Sequence, residues 1–236
     1  MFFMLLFLLP GLILGIYAQV KVTKTYNKYN RTTVSSDTNA RELAEMIMEK
    51  EGIYDVTVNR IPGSLTDNYN PVDKTLNLSN GVYDSCSVSA CGIAAHEVGH
   101  AIQHHKGYAP LKMRKVLVPV INATSFLAFP LALIGVLLEY FAINSPFHGV
   151  TVALIYSGII LYSLSTVFAL ITIPVELNAS RRAKTILYNM GVVTKEEKRQ
   201  VGEVLSAAAL TYFASLLISV LYLLRFILFI FSIRRD

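Results

Sequence analysis

His96 and His100 stand four residues apart, with Glu97 directly after the first, in the stretch Ala94-Ala95-His96-Glu97-Val98-Gly99-His100-Ala101-Ile102-Gln103. On an α-helix this spacing sets the two imidazoles about 40° apart around the axis and about 6 Å apart along it, so both can reach one ion. Glu97 then lies toward the same side of the ion and can act on a water bound there. The order His-Glu-x-x-His is that of zinc-dependent peptidases, and the chemistry it implies is hydrolysis of a peptide bond. A catalytic zinc takes three protein ligands and keeps a fourth position open for water. The pattern therefore asks for one more ligand elsewhere in the chain.

The spacing works only on a helix, and the flanking residues predict one from about Val88 to Lys106. Tyr83-Asp84-Ser85-Cys86-Ser87 carries the start signal and Gly107 the stop, while Ala90, Ile93, Ala94 and Ala101 suit a tightly packed buried face. His104 and His105, near its end, read as solvent-facing or packing residues. Upstream, Asp37–Glu51 is predicted helical, capped by Asp37 or Asn39 and closed by Gly52. Ile53–Val58 and Lys74–Ser79 alternate like strands, with turns at Pro62-Gly63 and Asn80-Gly81. A strand edge beside such a metal can hold an extended substrate by backbone pairing, and Leu76–Ser79 is the candidate.

The chain has 236 residues, of which 53% are apolar and 16% charged. That balance belongs to a protein partly embedded in a bilayer rather than to an ordinary soluble domain. The expected class is a mainly α membrane protein with a small α+β zincin-like cytoplasmic domain and transmembrane helices. Its parts are an anchor at 1–18, the zincin-like domain at 19–115, spans at 116–139 and 150–173, a cytoplasmic segment at 174–203, and a membrane-associated helix or hairpin at 204–233. The anchor lacks a basic leading region and a small-x-small cleavage site, so it reads as retained rather than as a signal peptide. Gln19–Ser36 reads as a polar connector or a short exposed strand.

Lys21, Lys24, Lys28 and Arg31 follow the anchor, Lys112, Arg114 and Lys115 precede the second span, and Arg181, Arg182 and Lys184 follow the third. The connection from Glu139 to Gly149 has no Lys or Arg. Cytoplasmic loops carry the excess of Lys and Arg, so these boundaries agree on a multi-pass protein of the cell membrane with its N-terminus outside and the motif helix facing the cytoplasm. Arg234 and Arg235 fit that rule only if the last apolar region is a hairpin or lies in the membrane plane. The net charge of +5 does not point to nucleic acid, because the basic residues sit beside apolar runs. Cys86 and Cys91 are too close along one element to pair, which suits a reducing compartment.

The third ligand must share a compartment with His96 and His100. Glu176 qualifies, because the hairpin from 116 to 173 returns the chain to the side from which it left. Partnership with Arg181 or Arg182 is the competing role for it, and Asp84 and Glu203 are alternative ligands with a poorer fit. The chain also resembles the YugP family of neutral zinc metallopeptidases over nearly its whole length. The resemblance is carried by Gly63-Ser64-Leu65-Thr66-Asp67, Leu78-Ser79, Val82-Tyr83, Ala94 to Gln103, Pro174-Val175-Glu176 and Ala179-Ser180-Arg181-Arg182-Ala183. It implies Zn2+ held by His96, His100 and Glu176. In layout the chain is also similar to HtpX-like and CAAX-prenyl proteases, where a membrane hairpin separates two histidines from a glutamate ligand.

Two places depart from the family pattern. Asn68-Tyr69-Asn70-Pro71 stands where the family tends to read His-Tyr-Asp-Pro, and Leu177-Asn178 where it tends to read Phe-Asp. The expected activity is that of a membrane-bound zinc endopeptidase with Glu97 as general base. Its partners would be a protein or peptide substrate, foremost membrane proteins, and the lipid bilayer. Tyr69, Tyr83 and Arg181 are candidates for stabilising the oxyanion, and Asn178, Ser180 and Asp67 for orienting the imidazoles. An intramembrane protease would keep its motif inside an apolar run, whereas this helix carries Glu97, His104, His105 and Lys106. A zinc-binding membrane scaffold without catalysis is the alternative from another class, and Glu97 beside an open position speaks against it.

Overall fold

The computed structural model describes residues 9–142 and 146–233. It is mainly helical with one small sheet, and the chain divides into two compact units. One is built from the residues up to Ile16, from Met113–Thr172 and from Tyr212 onward; the other from Tyr17–Lys112 and Ile173–Thr211.

The second unit holds all of the motif residues. Helix α1, Leu9–Tyr29, enters it at Tyr17. The connector or strand expected after the anchor is therefore helix as far as Tyr29. Its composition of Thr, Lys, Asn and Tyr looks like a loop, but Ala18, Tyr26 and Tyr29 are buried at helical spacing, and that face decides the matter. Helix α2, Ala40–Lys50, is capped by Asn39, whose side chain accepts from the Glu42 amide at 2.9 Å. Leu43, Ala44, Ile47 and Met48 make its buried stripe. Asp37, the other candidate cap, sits at φ +54 instead.

Strands β1 (Thr57–Ile61), β2 (Asn68–Asn70) and β3 (Thr75–Ser79) form a sheet in the order β1-β3-β2. β3 runs parallel to β1 and antiparallel to β2. The candidate substrate-binding edge at Leu76–Ser79 is paired with β1 along its whole length and with β2 only as far as Asn77. Leu76, Leu78 and Ser79 are fully buried, which is what a central strand shows. The one-turn helix α3 (Asn80–Tyr83) leads to α4, Val88–His105. Ser87 caps α4 by accepting from the Ala90 amide at 3.1 Å, and Gly107 follows its end at φ +64. Most of α4 is buried, in a core that also contains Leu43, Ile47, Leu76 and Leu187.

Three long helices complete the chain: α5 (Ala109–Ala142), α6 (His148–Asn189) and α7 (Lys195–Ile233). α6 and α7 are long and apolar enough to cross a membrane. The stretches Ala109–Thr124 and Phe126–Glu139 of α5 meet at 46° and would together make a third span. Pro130 explains the bend, because its ring clashes with the carbonyl four residues earlier, that of Phe126. In the first unit small residues let backbones approach closely: a Cβ on Gly158 would stand 2.6 Å from Ala132 Cβ and 2.7 Å from the Ala128 oxygen. Large apolar side chains such as Phe126, Leu137 and Ile160 remain exposed there, as a lipid-facing surface requires. The last apolar region is one continuous helix as far as Ile233 rather than a hairpin, while Met1–Leu8, Arg234 and Arg235 lie outside the described residues.

Candidate metal centre

Helix α4 presents His96 and His100, and the stretch of α6 within the same unit presents Glu176, 80 residues after His96. The helices can meet because Gly99 lies at their contact. A Cβ built on it would fall 2.9 Å from the Ala179 oxygen and 3.2 Å from Ala179 Cα, so the backbones themselves touch. His96 Nε2 stands 3.2 Å and His100 Nε2 3.4 Å from Glu176 Oε2. The ligand atoms of all three residues lie within 4.8 Å of one another. Bonds of about 2.0–2.1 Å in a tetrahedral shell put neighbouring ligand atoms roughly 3.3 Å apart, so this donor set fits a single zinc-sized ion.

The far nitrogens of both imidazoles are held. Ser180 Oγ is 3.1 Å from His96 Nδ1, and Gln103 Oε1 is 3.0 Å from His100 Nδ1. With Nδ1–H donating in each ring, Nε2, which faces Glu176, is the nitrogen that can bind a metal once its own proton has left. Gln103 is fully buried; its Nε2 donates to the Val175 oxygen at 2.8 Å and to Asn178 Oδ1 at 3.0 Å. Asn178 Oδ1 also accepts from Arg182 Nε at 2.8 Å. Sequence reasoning missed Gln103, although it sits three residues after His100 as the lone amide among Ala, Val, Gly and Ile.

Glu176 is 2% exposed, a burial that favours its neutral form. Hydrogen bonds from His100 and His96, and their positive charge, outweigh that burial and hold its carboxyl far below the usual carboxylate range. For His100, burial acts to lower the pKa, but the hydrogen bond to Glu176 and the charge of Glu97 raise it on balance. The centre is therefore anionic on one side and basic on the other even before a cation is considered. Glu97 shares the helix with the histidines and is half-buried.

The other expected residues divide by position. Ser180 and Asn178 join the surround of the triad, as just described. Tyr69 instead bonds His104 Nδ1 at 2.8 Å, beside a cavity of about 230 Å3 that also involves Asp55, Lys74 and His105. His104 is thus a packing residue of that corner. The Tyr83 ring lies beneath the guanidinium of Arg60, 5.3 Å away. Asp67 fastens β3, accepting from the Ser79 amide at 2.7 Å and its hydroxyl at 3.0 Å. The alternative third ligands are engaged elsewhere: Asp84 with Arg60 at 2.8 Å, and Glu203 with Tyr29, Lys28 and Arg199. Arg181 lines a separate groove on the same unit.

Comparison with known proteins points to the same metal. The family described as "Putative neutral zinc metallopeptidase" matches residues 4–231. A protein of Bacillus subtilis (strain 168) named "Putative membrane protease YugP" is 43% identical over 223 residues, covering 94% of each chain. No solved structure matches the chain.

Proposed function

The chain belongs to the neutral zinc metallopeptidase family, and from that premise we propose that it is a membrane-bound zinc endopeptidase acting at the cytoplasmic face. The observation that carries this reading is the convergence of His96 Nε2 and His100 Nε2 on Glu176 Oε2 at 3.2 and 3.4 Å. These three side chains would hold zinc, which would supply Lewis acidity and lower the pKa of a water bound to it. Glu97 takes the proton of the attacking water and delivers it to the leaving amine nitrogen, as general base and then general acid. Ser180 and Gln103 keep each imidazole in its ligating tautomer and orientation. Tyr69, Tyr83 and Arg181, expected to stabilise the oxyanion, have their contacts at His104, at Arg60 and in a separate groove, so none of them is assigned that role.

In this reading the zincin-like domain, residues 19–115 with 174–203, is cytoplasmic. The membrane-crossing segments are 1–18, 116–139 and 150–173, with the N-terminus outside, and 204–233 is membrane-associated. The clusters Lys21 to Arg31, Lys112 to Lys115 and Arg181 to Lys184 support that orientation, as does the lack of Lys and Arg from 139 to 149. The continuity of α7 speaks against a hairpin and leaves a single crossing or an in-plane helix, of which the in-plane helix keeps Arg234 and Arg235 on the cytoplasmic side. Glu176 follows the apolar run ending at Ile173 by less than one helical turn, so membrane proteins and their flanking segments are the substrates with access.

The test is zinc content paired with cleavage of casein and of candidate membrane proteins by the purified full-length chain. Wild type should bind zinc and cleave, whereas Glu97→Gln should keep its zinc and lose about 100- to 10,000-fold in rate. Wild type that holds zinc and cleaves none of these substrates would overturn the peptidase reading in favour of a scaffold. Cysteine labelling at Gly149 from outside the cell checks the orientation; labelling only after permeabilisation would reverse it.

A further inference from the structure

A groove of about 910 Å3 on the unit that carries the triad gathers cations from three helices. Its lining includes Lys21 of α1, Arg181 and Lys184 of α6, and Lys195, Lys198 and Arg199 of α7. Glu203 is the only carboxylate in that lining, and it is already engaged by the Tyr29 hydroxyl, by Arg199 Nη1 at 2.5 Å and by Lys28 Nζ at 3.5 Å. Arg199 also binds Glu196 at 2.5 Å, and Lys198 lies over the Tyr188 ring at 4.3 Å. Arg181, Lys184 and Lys195 make no ion pair among the described residues.

An excess of Lys and Arg at the ends of membrane spans sets orientation wherever those residues stand around the boundary. Orientation alone does not require them to line one concavity. Like charges gathered in a groove repel one another, so the arrangement weakens the fold unless an anion is bound. Thr25, Thr185 and Ser206 add hydroxyl donors to the lining, and Ala207 and Leu210 add apolar surface. Converging cations and hydroxyls fit phosphate oxygens, whereas the apolar residues fit something attached to the phosphate. Chain order indicates what that is. Lys21 follows the apolar run ending at Val20, and beyond Leu210 α7 continues as an apolar helix. We propose that this groove binds the phosphate of an anionic phospholipid headgroup. The inference does not rest on the peptidase reading.

The test is native mass spectrometry of the purified full-length protein in mild detergent, titrated separately with phosphatidylglycerol, phosphatidylcholine and inorganic phosphate. Wild type should retain phosphatidylglycerol at least tenfold more tightly than phosphatidylcholine. Each cation near an anionic headgroup contributes roughly fivefold in affinity, so the double variant Lys184→Gln/Lys195→Gln should weaken phosphatidylglycerol binding about 30-fold. Lys184→Arg/Lys195→Arg should restore it, with zinc content unchanged in both. Should the double variant fold poorly, Lys195→Gln alone, at an exposed helix start, should still cost roughly fivefold. Equal retention of the two lipids, or an unchanged affinity in the folded glutamine variants, would overturn the proposal. Inorganic phosphate competing as tightly as the lipid would overturn the lipid assignment in favour of a soluble anion.

Discussion

Gln103 offers the sharpest perturbation of the centre, because it touches a histidine of the triad without belonging to the triad itself. It is fully buried and makes three hydrogen bonds, to His100 Nδ1 at 3.0 Å, the Val175 oxygen at 2.8 Å and Asn178 Oδ1 at 3.0 Å. Gln103→Leu conserves volume and removes all three. Two of the groups left behind have other partners. The Val175 oxygen lies inside a helix and accepts the amide four residues on, and Asn178 Oδ1 still takes Arg182 Nε at 2.8 Å. Only His100 Nδ1–H is orphaned, and one buried donor without an acceptor costs about 1–3 kcal/mol. Zinc affinity should fall further, by about 10- to 100-fold, because the ring loses what fixes its tautomer and angle. Gln103→Glu separates the two effects. Its carboxylate still accepts from His100, but it faces the Val175 oxygen and Asn178 Oδ1 with no proton to donate. Zinc affinity should therefore rank wild type, Glu, Leu, whereas the melting temperature should rank wild type, Leu, Glu. Competition against a chromogenic chelator gives the first order and thermal unfolding of the apoprotein gives the second. Zinc affinity of a folded Gln103→Leu protein within threefold of wild type would refute the positioning role.

Three further outcomes follow from the same geometry. Glu176→Ala should remove a ligand and lower zinc occupancy to near background on dialysis, and full occupancy would sink its assignment as the third ligand. Ser180→Ala leaves His96 Nδ1 without its partner at 3.1 Å and should weaken zinc binding about tenfold, less than Gln103→Leu because a hydroxyl site can be refilled by water. Gly99→Ala pushes a methyl to 2.9 Å from a backbone oxygen and should destabilise by about 1–3 kcal/mol, read as a lower melting temperature together with weaker zinc binding.

What the sequence disclosed follows its physics. The motif helix was legible from end to end because Ser87, Gly107 and the small apolar face are local signals, and all sit in or beside one element. Glu176 was reachable only through the idea of a returning hairpin and through family resemblance, since nothing within α6 distinguishes it from a solvated carboxylate. The run from Gln19 to Tyr29 was misread because its polar composition hides Ala18, Tyr26 and Tyr29 at helical spacing. The pairing of β3 was not legible because alternation reveals a strand but not which of its sides are paired; the parallel partner β1 lies beyond any hairpin signal. Gln103 escaped notice because its three partners come from two helices, one of them more than 70 residues away.

Gly99 and Ala179 explain why this pair of helices, rather than another, carries the centre. His96 lies three residues before Gly99 and His100 one after it; Glu176 lies three before Ala179 and Ser180 one after it. Both helices therefore offer their functional side chains in the same register about a shared backbone contact. That register pairs His96 with Glu176 and with Ser180, and it brings His100 to Glu176 as well. A side chain at the contact would separate the axes by a sizeable fraction of an ångström, while metal–ligand distances tolerate only about 0.2 Å. The fold could absorb such a separation by repacking apolar neighbours, but the centre could not. Under the proposed zinc reading the two small residues are constrained by coordination geometry more tightly than by stability, although neither offers the centre an atom.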